Sequence, residues 1–129
     1  MTADKKFKIS KKQPPNKIKS LRAISIRQPY VEAILNGKKK FEYRSTQTHV
    51  RGKVLIYAAL GKEDDSEFKK FKIKREDAPL GLIVGCVDIV DCKFDKKSNI
   101  FGYVLKNPIR FKSFFKPKNH PQPRWFFPF

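Results

Sequence analysis

Cysteine, histidine, glycine and acidic residues are all scarce in this chain of 129 residues, and each shortage closes a class of function. Two cysteines, Cys86 and Cys92, give no disulfide framework. They stand six positions apart on one predicted strand, too far to share an ion, and the only histidines are His49 and His120, so no metal site is expected. The six glycines form no phosphate-binding loop, and neither a nucleophile elbow nor an HExxH stretch occurs, so no organic cofactor is expected either. No apolar run approaches the ~18 residues a spanning helix needs. The lysine-rich N-terminus lacks the apolar stretch of a secretory leader. The chain therefore reads as a soluble, cytoplasmic protein with no membrane partner.

What it has in excess is positive charge. Thirty Lys and Arg against twelve Asp and Glu leave +18, the balance of a protein whose partner is a polyanion. Residues 1–22 hold eight cations and only Asp4 in opposition, contain Pro14-Pro15 and show no periodicity. They read as a flexible basic arm. Residues 23–129 remain basic and, at this length, form one domain.

Along that domain, Ala23 to Arg27 alternates as a strand, and Gln28-Pro29 opens a short helix with Pro29 as its first residue. Val31, Ile34 and Leu35 are its buried stripe, and Asn36-Gly37 ends it. Residues 40–44 alternate, with Phe41 and Tyr43 on one face and Lys40, Glu42 and Arg44 on the other. Apolar strands follow at 53–59, 82–94 and 99–111, with a short helix within 63–75 and Gly85 as a bulge or close approach. The proline-rich end from Ser113 reads as irregular chain whose aromatics close the end of a barrel. Short strands with one well-defined helix between the first two, and one or two further short helices, predict a small α+β barrel.

Two stretches carry candidate chemistry. In Gly37-Lys38-Lys39-Lys40-Phe41-Glu42-Tyr43-Arg44 the glycine turns the chain sharply, so Lys39, Glu42 and Arg44 enter one small region. Lys39 and Arg44 could hold a phosphate or base while Glu42 accepts from a base amino group or moves a proton. Spacing alone better fits a half-exposed strand with a charged outer face, an ordinary arrangement. In Ser25 to Tyr30, Arg27 and Gln28 fall at the rim where the strand meets the helix.

Taken with Thr48 and Arg51-Gly52, with Pro79 to Val87, and with Tyr103 to Phe111, these residues resemble the ASCH domain family of the PUA-like superfamily, over about residues 22–127. The G-x-K-x-x-E-x-R pattern is the core of that resemblance. It implies a small PUA-like β-barrel flanked by helices, a cleft lined by the motif, and RNA binding. A few relatives hydrolyse N4-acylated cytidines or cut RNA, and in the first of these branches the lysine matching Lys39 is catalytic. The chain departs from that branch in carrying Glu42 where the branch has threonine, and it has no glutamate after Glu76. Tyr30 and Thr46 stand where relatives often carry Trp.

The expectation is a module for RNA or a nucleotide-like ligand, with a basic cleft of Arg27, Gln28, Lys39, Glu42, Arg44, Thr48 and Arg51. The alternative is a small metal-independent hydrolase of modified cytidine or RNA in which Lys39 and Glu42 are catalytic.

Overall fold

The computed structural model describes residues 7–129. Six strands form one mixed sheet in the order β2-β5-β4-β3-β1-β6. They are β1 (Ala23–Gln28), β2 (Phe41–Arg44), β3 (Gly52–Lys62), β4 (Leu82–Asp95), β5 (Ile100–Phe115) and β6 (Trp125–Phe126). Three short helices accompany them: α1 (Asn16–Lys19), α2 (Tyr30–Leu35) and α3 (Asp65–Lys70). The sheet curls into a half-barrel, the small α+β architecture expected. No helix among the described residues is long and apolar enough to cross a membrane.

β1 and β3 run parallel and the other neighbours antiparallel. A parallel pair needs a crossover, and α2 with β2 supplies it. The central strands are buried on both faces, which explains their near-continuous apolar runs. On β3, Val54, Ile56 and Ala58 join one core cluster with Ile24, Ile26, Val31 and Ile34, whereas Leu55 and Tyr57 join a second with Ile83, Cys86 and Phe126. On β4 the inward positions are Leu82 and Val84, then Val87 and Ile89. That change of phase accompanies an irregularity beside Gly85, where a bulged residue re-aims the strand. A Cβ at Gly85 would collide with the Ile109 carbonyl oxygen, so the close approach expected there is real. Pro108 sits in a second irregularity of the β4–β5 ladder, where a missing N–H breaks no regular pairing.

Several local expectations need correction. Pro29 is the N-cap of α2, not its first turn, and follows a cis peptide bond. β5 runs on to Phe115, so the irregular end begins later than Ser113. The terminal aromatics cover the second face of the sheet instead of closing a barrel end. Phe126 meets Tyr57 edge-on at 5.3 Å, and Phe115 meets both Phe111 and Phe129 nearly at right angles. Within the expected arm, residues 7–22 lie on the body of the domain. Ile9 bridges to Phe114, Phe7 packs 6.0 Å from the same ring, and Ile18 in α1 is buried in the second cluster. Phe7, Ile9 and Ile18, set among the lysines, dock that segment. The first six residues lie outside the described residues.

Candidate nucleotide-sized cleft

The helix end and the strand after it assemble the motif. Gly37 adopts φ +84°, a left-handed turn that releases the chain from α2. The Lys39 N–H then donates to the Ala33 carbonyl, pinning Lys39 beneath the helix. β2 turns its polar face inward. The Glu42 side chain is only 7% exposed, while Tyr43 is half exposed. Charges on a strand usually face water; here Tyr43 does and Glu42 does not.

Glu42 holds both cations. Its Oε1 accepts from Lys39 Nζ at 3.1 Å and its Oε2 from Arg44 Nε at 2.9 Å. The Arg44 guanidinium also donates to the Ser25 carbonyl of β1 at 2.8 Å, linking β2 to a strand it does not pair with. Lys39 Nζ donates to the Phe41 carbonyl and sits 5.3 Å from the Tyr30 ring centre and 5.1 Å from that of Tyr43. One ammonium thus lies between two aromatic faces, a geometry favoured by the ring quadrupoles. The adjoining Lys38 ammonium donates to the Phe71 carbonyl at 2.6 Å.

Two hollows meet at this cluster. One, of about 400 Å³, is lined by Arg27, Tyr30, Glu42, Tyr43, Arg44 and Arg124 among others. The second, of about 270 Å³, lies on the Lys39 side and is walled by α3 through Glu67, Lys70 and Phe71. Tyr30, Glu42 and Tyr43 line both. The Tyr30 hydroxyl donates to Glu67 at 2.7 Å, and burial together with that bond holds its proton far more tightly than usual. It is a donor at neutral pH and not a base.

The cleft is less basic than expected. Arg27 pairs with Glu63 at 3.4 Å, and Glu42 faces Lys39 and Arg44. Of the seven candidate residues, Arg27, Lys39, Glu42 and Arg44 converge here. Gln28 does not: it is fully buried beneath α2, its amide nitrogen donating to Pro79 O at 3.0 Å and its carbonyl accepting from Glu32 N at 3.1 Å. Thr48 is buried in the β2–β3 loop, where its hydroxyl accepts from Val50 N at 3.1 Å. Arg51 lines a different hollow altogether. Glu63 and Arg124, like the α3 residues Glu67, Lys70 and Phe71, escaped the sequence reading. Glu63 follows β3 directly, and Arg124 arrives from the proline-rich end to donate to the Thr46 hydroxyl, 78 positions away. Among the described residues no three His, Cys, Asp or Glu side chains gather as metal ligands.

Two curated relatives, each named activating signal cointegrator 1, resemble this chain: the Homo sapiens protein at 27% identity over 122 residues and the Mus musculus protein at 29% over 123. Each match covers 77% of this chain and 21% of the relative, so the chain spans about a fifth of their length. A solved ASCH structure from Zymomonas mobilis aligns over 71% of this chain and 74% of its own, at 14% identity and a TM-score of 0.43. The family model described as ASCH domain matches residues 24–114, from β1 into β5, and the chain belongs to the ASCH domain family.

Proposed function

We propose that this domain binds nucleic acid and takes one nucleotide into the cleft between Tyr30, Tyr43 and the Lys39–Glu42–Arg44 cluster. The carrying observation is convergence: three charged side chains of one short motif meet where two hollows adjoin, Glu42 lining both, Lys39 the smaller, and Arg44 the larger, whose volume of about 400 Å³ is within the range of small-ligand sites. Glu42, already fixed by two donors, has lone pairs left for a base amino group, the pairing a carboxylate makes with cytosine N4. Tyr43 offers a half-exposed ring for stacking, a contact worth about 1–3 kcal/mol per base. Arg27 and Arg124 stand at the rim for the phosphates. Family membership and the excess of cations support the same reading.

The hydrolase alternative rests on the same Lys39–Glu42 contact. The Thr48 hydroxyl is buried outside the cleft lining, and the Lys39 ammonium is engaged by Glu42, a carbonyl and two rings. Binding is therefore the stronger reading. Fluorescence anisotropy with labelled single-stranded RNA tests it. Tyr43→Ala is expected to weaken binding by roughly 5- to 150-fold, the equivalent of one lost stack. Equal affinity of the parent, Tyr43→Ala and Arg27→Ala would overturn the assignment of the cleft.

A further inference from the structure

A second group of cations gathers elsewhere. A hollow of about 450 Å³ is lined by Arg22, His49, Arg51, Lys53 and Phe127, together with uncharged neighbours, and no carboxylate lines it. Arg22 immediately precedes β1 and Lys53 stands at the start of β3, whereas the cleft residues Arg27 and Glu63 lie at the far ends of the same two strands. Five residues of extended chain separate Arg22 from Arg27, which places the two hollows on the order of 17 Å apart.

The composition of this second hollow is unlike that of the first. Arg51 is oriented by donating to the carbonyls of Thr48 at 3.0 Å and Val50 at 2.9 Å, with the Asp91 carboxylate at 4.0 Å. The Arg22 guanidinium lies 5.4 Å from the centre of the Phe127 ring, and that ring is 53% exposed although the aromatics on either side of it in sequence help cover the sheet. An exposed ring beside several cations, in a hollow that no described carboxylate lines, is the combination that single-stranded nucleic acid uses, with cations for the phosphates and an aromatic face for a base.

We infer that this hollow is a second contact for the same strand, holding phosphodiester groups through Arg22, Arg51 and Lys53 and one base against Phe127. The inference rests on the nucleic-acid reading above. Labour is then divided between the two ends of β1 and β3: the cleft, where Glu42 and Glu63 already engage most of the cations, recognises a base, and the second hollow supplies most of the salt-sensitive affinity.

The test is the dependence of affinity on salt, measured by anisotropy with a single-stranded RNA of about fifteen nucleotides. Each phosphate contact on a single strand contributes about 0.7 to the log–log slope. The triple variant Arg22→Gln, Arg51→Gln, Lys53→Gln is therefore expected to flatten the slope by about 2. That amounts to binding about a hundredfold weaker at 0.1 M salt and convergence with the parent near 1 M. Because Arg51 also braces its loop, the double variant Arg22→Gln, Lys53→Gln is measured beside it, with an expected loss of about 1.4 in slope. Tyr43→Ala should shift affinity by a constant factor and leave the slope alone. A parent slope in both charge variants would overturn this inference while leaving the cleft assignment intact. A parent that binds no strand at any salt sinks both. Displacement of the strand by polyglutamate at equal charge would assign the hollow to an acidic protein and overturn the inference as well.

Discussion

Glu42 does three things with one carboxylate: it neutralises Lys39, fixes Arg44, and leaves acceptor capacity facing the cleft. Its removal leaves two cations near each other in a partly buried place. Glu42→Gln is expected to cost about 3 kcal/mol, the range seen when one partner of a buried ion pair is lost, read as a lower urea midpoint. Glu42→Gln with Lys39→Met should recover part of that loss, since the surviving cation then has the Ser25 carbonyl. Glu32 behaves differently. It is buried, and burial pushes its carboxyl above the ordinary value of 4.5, partly opposed by Arg110 at 2.8 Å. Folding thus strengthens proton binding, so ionised Glu32 works against the fold at neutral pH and acidification towards 4.5 relieves it. Glu32→Gln should raise the urea midpoint at pH 7, with the gain vanishing as pH falls to 4.5 and below. The alternation of residues 40–44 was plain in the sequence, but alternation names two faces and not which is inside. Here the inside face is polar because Lys39, from the turn before the strand, and Ser25, from another strand, complete it.

Elements were most legible where burial is two-sided or periodic. The runs of β3 and β4 declare themselves as strands, and the Val31–Ile34 stripe with Gly37 declares α2. Gln28 shows where such reasoning stops. It looks like a polar rim residue, yet its partners are Pro79, 51 positions away, and the first turn of α2, so it serves as an internal brace beneath the helix. Thr46 with Arg124 is a similar long-range pair. Gly85 is the element-scale residue most open to test. Because any side chain there meets the backbone of β5, Gly85→Ala must prise the two longest strands apart. It is expected to cost about 3 kcal/mol or more, read as a sharp fall in Tm, whereas Gly52→Ala, with open space around it, is penalised only for its left-handed φ.

At the scale of the molecule, charge and core are less separable than composition suggests. Lys17 and Lys19 belong to the same short helix as Ile18, and Lys8 adjoins the bridge between Ile9 and Phe114. Ile18→Ala is expected to destabilise the domain by about 2 kcal/mol in thermal or urea unfolding, although the change leaves every cation in place. Cutting back the N-terminal segment would therefore change two properties together, and any weakened ligand uptake by the shortened chain would confound lost attraction with a loosened scaffold. Swapping lysine for glutamine at unaltered length separates them, because the hydrophobic plug stays in its socket while the electrostatics are dialled down one position at a time.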